Sequence, residues 1–283
     1  MIGRMEPSTP STIWLCRACG VERGPATSEP AQCDICEDER QYVPASGQAW
    51  TTVAGLQAEG RAVQVSPVTE RMWFVGADDV GIGQQAVLVQ TAHGNLLFDP
   101  PGLIDDASVE RVRELGGVAA VVASHPHMYG VQSAWSEAFD DAPVWIAEAD
   151  REWVGRWTPS MRTWSESFEV LPGIWLHQVG GHFKGSTVAL WSDPPSLGRG
   201  VLLAGDAIFP VADGGVTFLR SYPNRIPLSA GVVRRIADHV GRWEYDHLFN
   251  NFGAGIGPGA DQTVQGSADR YVAWVGGSND HLT

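Results

Sequence analysis

No apolar run in this chain reaches the roughly 20 residues needed to cross a bilayer. The longest, such as Val118–Ala123 and Val201–Ala204, are strand-sized. A basic start followed by an apolar core is also missing from the N-terminus, so no secretory segment is read and a cytoplasmic location is expected. Positive charge is scarce: 19 Lys and Arg face 33 Asp and Glu, for a net charge of −14. A surface this acidic repels phosphate backbones and anionic membranes, which argues against both as partners. There is no internal repeat and no low-complexity tract. What remains, 43% hydrophobic and 18% charged residues, suits a compact protein with a full core.

Cysteine is equally sparse, and all 4 cysteines fall in one short stretch, as Cys16-Arg-Ala-Cys19 and Cys33-Asp-Ile-Cys36. Two Cys-x-x-Cys knuckles separated by a short loop have the spacing of a four-thiolate zinc site. Each knuckle points two sulfurs at one ion, and Gly20 supplies the turn after the first. Two disulfides would suit an exported chain, and a redox Cys-x-x-Cys normally stands alone at a helix start. The segment resembles a rubredoxin-like zinc ribbon; rubredoxins hold iron in the same ligand set. Arg17 and Arg23 are the only basic residues between the first and last cysteine, so a structural role is expected rather than nucleic-acid binding. The expected organisation is a ribbon over residues 1–40, a connector over 41–70 with a short helix near Thr52–Glu59, and the main domain over 71–283.

Within the main domain, Gln85–Thr91 and Leu96–Asp99 read as a hairpin around Ala92-His93-Gly94-Asn95. Asp105–Leu115 reads as an amphipathic helix, with apolar residues at helical spacing and Asp and Ser near its start. The run Val118–Ala123 reads as a strand covered on both faces. A helix near Val131–Ala138 and strands at Pro143–Ala147, Ile174–Val179, Ser186–Trp191 and Val201–Ala204 follow. Helices near Ser229–Val240 and Asp261–Val275 complete an α/β layered pattern.

Chemistry-bearing residues stand at strand ends, where such folds place their sites. His125 and His127 follow Val118–Ala123, His182 follows Ile174–Val179, and Asp206 follows Val201–Ala204. In an extended segment, residues two apart face the same side, so His-Pro-His can present two imidazoles to one ion. A third imidazole and a carboxylate would complete a first-row metal site.

The ordered set resembles the metallo-β-lactamase fold family over roughly residues 70–260. Asp99 closes the opening hairpin, Ser124-His125-Pro126-His127 matches the start of His-x-His-x-Asp-His, Gly181-His182 matches the next histidine motif, and Ala204-Gly205-Asp206 matches the bridging aspartate. The resemblance implies a four-layered αββα sandwich with its metals at the sheet edge. This chain departs from the pattern where the family has Asp-His, reading Tyr129-Gly130 instead. It also has no histidine in Leu248–Gly257, where the family's last one belongs. The ligands lost belong mainly to the second metal. A mononuclear site of His125, His127, His182 and Asp206, holding zinc or iron, is therefore implied.

Three imidazoles with an open position can acidify bound water toward neutrality and supply a hydroxide nucleophile. The function implied is a metal-dependent hydrolase of an ester, thioester or lactone-type bond in a small-molecule substrate. Asp206 would ligate and accept a proton, and Tyr129 would either stabilise an oxyanion or fill the vacated space. Asp99 is read as orienting a ligating histidine. One alternative resembles the persulfide dioxygenases, with iron held by His125, His182 and Asp206. Another is a non-catalytic member of the fold. Lys184 is expected to be exposed, and Trp135, Trp153, Trp157 and Trp164 either line a pocket or pack the core.

Overall fold

A computed structural model describes residues 11–283, so the first ten residues of the 1–40 stretch lie outside the described residues. The N-terminal sheet contains β1 (Thr12–Cys16), β2 (Glu22–Ala26) and β3 (Trp50–Thr51), in the order β2-β1-β3. A one-turn helix, α1 (Asp34–Glu37), carries the second cysteine knuckle, and α2 (Val53–Ala58) follows β3 with Thr52 as its N-cap.

The first large sheet has seven strands: β4 (Gln64–Thr69), β5 (Met72–Gly76), β6 (Gln85–Thr91), β7 (Gly94–Phe98), β8 (Ala120–Val122), β9 (Val144–Ala147) and β10 (Met161–Trp164). They lie in the spatial order β10-β9-β8-β7-β6-β5-β4. Helix α3 (Asp106–Glu114) crosses between β7 and β8, and its start is closed by a capping box between Asp105 and Ser108. Helix α4 (Gln132–Ala138) crosses between β8 and β9. Both crossovers join parallel neighbours.

The second large sheet starts with β11 (Ser167–Leu171), β12 (Ile174–Gln178), β13 (Thr187–Trp191) and β14 (Val201–Leu203). Two small hairpins follow, β15 (Phe209–Pro210) with β16 (Val216–Thr217), and β17 (Leu219–Ser221) with β18 (Ile226–Pro227). After helix α5 (Ala230–Val240), strand β19 (His247–Phe249) pairs in parallel with β14, and β20 (Gly255–Ile256) forms the edge. Helix α6 (Ala260–Val275) closes the layer.

The cores explain the layering. Alternate residues of both sheets, among them Val87, Phe98, Val122, Leu176, Ala189 and Leu203, interlock in a buried inter-sheet cluster. The outer face of the second sheet buries Leu190, Leu202 and Leu248 against Val233, Ile236 and Val264 of α5 and α6. The outer face of the first sheet buries Leu88, Leu97 and Val121 against Val112 and Trp135 of α3 and α4. This is the αββα sandwich expected from the resemblance.

Two expectations change. The first sheet begins at Gln64, inside the stretch read as connector. Pro67 hides that strand from a periodicity argument, and it is tolerated because β4 is the sheet's edge. The ribbon, expected as a unit of its own ahead of the connector, also shares the main domain's core. Leu15, Val21, Ile35 and the four cysteines belong to the same buried cluster as the first sheet's outer face. Among the described residues, no helix is long and apolar enough to cross a membrane.

Candidate metal centres

Cys16 ends β1, Cys19 follows in a turn, Cys33 caps α1 and Cys36 lies within it, so two tight turns aim four sulfurs at one point. The sulfurs of Cys16 and Cys36 are 3.6 Å apart, and those of Cys19 and Cys33 are 3.7 Å apart. A tetrahedron of thiolates around zinc, with bonds of about 2.3 Å, has edges of about 3.8 Å. The donor set therefore fits such an ion. Mutual hydrogen bonding splits the thiols: Cys16 is lowered to about 7 and Cys33 lowered further, while Cys19 and Cys36 are pushed up. Gln48 Nε2 donates to Cys16 Sγ at 3.2 Å and Arg23 Nη2 to Cys33 Sγ at 3.8 Å, two donors that favour thiolates. All four cysteines are buried, so this cluster presents no open face.

The histidine cluster gathers at the ends of β8, β12 and β14. His125 leaves β8 in extended conformation, and Pro126–Met128 then form a single 3-10 turn. The sequence argument placed His-x-His in an extended segment. Pro126 instead starts a helical turn, for which its fixed φ is suited. The two imidazoles still converge, but through different ring atoms. His127 Nδ1 lies 3.2 Å from His182 Nε2, while His125 Nε2 lies 3.5 Å from Asp206 Oδ2. His182 Nε2 is 3.7 Å from the same oxygen. One atom from each of the four residues lies within 4.8 Å of every other.

Hydrogen bonds outside the cluster fix its tautomers. Ser124 Oγ donates to Asp99 Oδ2 at 3.0 Å, so at 2.9 Å it can only accept from His125 Nδ1, which leaves His125 Nε2 bare. Asp99 is anchored further by the Ser124 backbone N–H, which donates to Oδ1 at 2.6 Å. His182 Nδ1 donates to the Leu219 carbonyl at 3.2 Å, which leaves Nε2 bare as well. His125 Nε2 and Asp206 Oδ1 are buried without any hydrogen-bond partner. Bare ring nitrogens and a carboxylate that converge without partners are what a cation would satisfy.

The electrostatics agree. Burial, then the neighbouring His125, holds His182 down to about 3, and the same two causes hold His127 well below the usual imidazole range. Neutral imidazoles are the form that binds metal. Burial pushes Asp206 up, but His125 and His182 outweigh it, and Asn251 adds a smaller contribution in the same direction, so the carboxyl ends below its usual range. Burial raises Asp99 to about 7 against the opposing pull of His125 and the Ser124 donors.

Tyr129 is not among the residues that line the cavity shared by His127, His182 and Asp206. Its hydroxyl is buried and donates to the Asp150 backbone carbonyl at 3.0 Å, the arrangement a space-filling residue would have. The next residue, where the resemblance would put a further histidine, is closed to a side chain. Gly130 has φ +48°, and a Cβ there would stand 2.3 Å from the Pro100 carbonyl oxygen. A histidine cannot occupy that position without moving the Pro100-Pro101 backbone. Asn251, just after β19, lies next to Asp206 and helps to hold its carboxyl down.

His127, His182 and Asp206 open onto a cavity of about 460 Å³. Phe209, Tyr222 and Phe252 line it together with Arg40, Gln41 and Tyr42. Of this lining, sequence reasoning reaches only Tyr222, which sits in the loop after Val216–Leu219 from where it could meet the cleft. Arg40 ends the acidic, polar stretch Glu37-Asp38-Glu39-Arg40 at the close of the expected ribbon, and the aromatics carry no local motif. Of the tryptophans, Trp135 and Trp164 are core, Trp157 is exposed, and Trp153 packs on Phe183 beside the site. Lys184 is exposed, as expected.

No family model matches the chain. It is 40% identical over 263 residues to the uncharacterized protein YmaE of Bacillus subtilis (strain 168), a match that spans 92% of this chain and 95% of that one. Among solved structures, the metallo-β-lactamase DIM-1 superimposes with a TM-score of 0.55 at 14% identity, over 74% of this chain and 97% of that chain. FIM-1 from Pseudomonas aeruginosa, in its mono-zinc form, gives 0.53 at 16% identity, over 74% and 96%. At these identities the likeness to solved structures is one of fold.

Proposed function

This chain belongs to the same family as Bacillus subtilis YmaE and has the metallo-β-lactamase fold, and from that premise we propose that it is a metal-dependent hydrolase of an ester, thioester or lactone-type bond. The observation that carries the reading is the convergence of three imidazoles and Asp206, with bare ring nitrogens, at the floor of a cavity large enough for a small molecule. His125, His127, His182 and Asp206 would hold a single zinc or iron ion. That ion would supply a Lewis acid and an acidified water at the cavity floor. The mono-zinc form of FIM-1 is a precedent for one ion on this fold.

The remaining steps fall to the chain's own groups. Asp99 and Ser124 hold the His125 ring in one tautomer and orientation. The Leu219 carbonyl does the same for His182. Asp206 Oδ1, without a partner in the protein, takes the proton released when water attacks the carbonyl carbon and passes it to the leaving group. Phe209, Tyr222 and Phe252 give the cavity aromatic surface on which an apolar part of the substrate can rest. The iron oxidoreductase reading would leave His127 idle. Its Nδ1 instead faces His182 Nε2 within the cluster, which favours the four-ligand hydrolytic set.

The test is a panel of 1-naphthyl and p-nitrophenyl esters, acyl thioesters and lactones, assayed with metal-replete protein and with the doubly substituted His125→Ala, His182→Ala protein. Cleavage of at least one bond class by the native chain, lost in the double variant, is expected. Activity that survives the double substitution, or none with any class at full metal loading, would overturn the reading.

A further inference from the structure

The two metal centres are not independent, because the cysteine module is built into the wall of the histidine site. Its first knuckle meets the main domain backbone to backbone. A Cβ on Gly81 would stand 2.8 Å from the carbonyl carbon and oxygen of Cys19, and one on Gly102 would stand 3.0 Å from the Gly20 oxygen. Strand β2 holds the other side. The Glu22 backbone N–H donates to the Gly130 carbonyl at 3.0 Å, on the loop that carries His125 and His127. The buried Glu22 carboxylate accepts from the Ser133 N–H at 2.8 Å and from Arg156 Nη1 at 3.0 Å.

The second knuckle leads directly to the other ligand loop. Arg40 follows Cys36 by one short turn, and its guanidinium lies 3.6 Å above the centre of the Phe183 ring. Its Nη1 donates to the His182 carbonyl at 3.4 Å, and its Nη2 donates to Asp38 Oδ2 at 2.8 Å. Ser221 Oγ and Asn224 Nδ2 donate to the backbone carbonyls of Arg40 and Gln41, each at 3.0 Å, and fix the segment to the far side of the cavity. Beyond Arg40, Gln41 and Tyr42 continue the wall, and Ala18 joins them from between the first two cysteines.

We propose that the cysteine module is a working part of the histidine site: Arg40 is a positioning residue for the His182 loop, and Tyr42 with Ala18 forms the wall that receives an uncharged apolar or aromatic group of the substrate. Asp38 matches the Arg40 charge, so this wall offers no free cation to an anionic group. Phe209, Tyr222 and Phe252 line the same cavity, with Phe209 packed against both of the others, so the lining is rich in aromatic surface and makes a slot suited to a flat, neutral group. Tyr42 lines this cavity with 56% of its surface exposed, so its ring is accessible to such a group. The kind of bond cleaved rests on the hydrolase reading; the slot and the Arg40 contact do not.

Because removing a cysteine can unfold the chain, the test uses Arg40→Met, Arg40→Lys and Tyr42→Ala in the full-length protein. Cobalt titration separates the centres, since thiolate ligation gives intense charge-transfer absorption and imidazole ligation only weak visible bands. Arg40→Met is expected to weaken cobalt binding at the histidine site about tenfold while the thiolate absorption stays unchanged, with partial recovery in Arg40→Lys. Tyr42→Ala is expected to weaken binding of prodan, a neutral naphthalene fluorophore, at least fivefold, and to raise KM for a 1-naphthyl ester without lowering kcat. Unchanged cobalt affinity in Arg40→Met, or unchanged prodan affinity in Tyr42→Ala, would overturn the proposal. Cobalt and prodan responses as expected with no ester cleaved would leave the slot standing and remove only the hydrolase reading.

Discussion

The two clusters differ in what surrounds four converging ligands. The cysteines come from two turns within one short segment, are sealed on all sides and receive donors from Gln48 and Arg23. The histidines and Asp206 come from three distant strand ends and line a cavity. A closed thiolate shell leaves an ion nothing to do but hold the chain together. An imidazole and carboxylate shell with a cavity above it leaves a position for water and substrate. Similar burial thus serves opposite ends, and the difference lies in ligand chemistry and in the walls.

That contrast can be broken from the cysteine side with the largest effect. Cys19→Ser is expected to lower unfolding stability by at least about 4 kcal/mol in zinc-containing buffer, because ion binding there is folding energy. Urea unfolding with added zinc measures it, and a loss of under about 1 kcal/mol would mean that the cluster needs no metal. From the histidine side, Ser124→Ala removes the hydroxyl between Asp99 and His125. Metal affinity at the histidine cluster is expected to fall by about 10–100-fold, read by chelator competition, with the cysteine cluster unaffected.

Asp150 sharpens the comparison through pH. Burial pushes its carboxyl up to about 6, with one oxygen accepting from the Gly185 N–H at 2.7 Å and the other without a partner. The folded state therefore binds more protons than the unfolded one between about pH 4 and pH 6. The stability that Asp150 contributes is full below about pH 4 and is lost as pH rises through about 6. Asp150→Asn should match the native chain at pH 4 and exceed it at pH 8 by on the order of 2 kcal/mol. Lower stability of the variant at both pH values would contradict this. The smallest effect belongs to Tyr129→Phe, which removes one buried hydrogen bond: a loss of about 1 kcal/mol in stability and less than a twofold change in turnover are expected. A tenfold loss of turnover at intact stability would favour the oxyanion role.

How much of this the sequence showed depended on how local each feature was. The cysteine site was legible because all four ligands sit in two short spacings that one ion explains. The layered fold was legible from buried runs such as Val118–Ala123 and from caps such as Asp105 and Ser229. The histidine set was legible only as an ordered series of motifs at strand ends. The 3-10 turn at Pro126, the Asp99–Ser124–His125 chain of hydrogen bonds and the closed position at Gly130 depend on neighbours distant in sequence. Arg40 was least visible, since an arginine among acidic residues reads as solvated surface until folding stacks it on Phe183. The same burial joins the ribbon, expected as a separate unit, to the core on the first sheet's outer face.

The central claim is one closed ion and one open ion, with no second ion beside the histidines. Anomalous scattering from crystals of the full chain, grown with metal and measured at the zinc and iron edges, counts and identifies both. The account predicts a single peak among Cys16, Cys19, Cys33 and Cys36 and a single peak among His125, His127, His182 and Asp206. Two peaks at the histidine cluster, or none there in a metal-replete crystal, would contradict it.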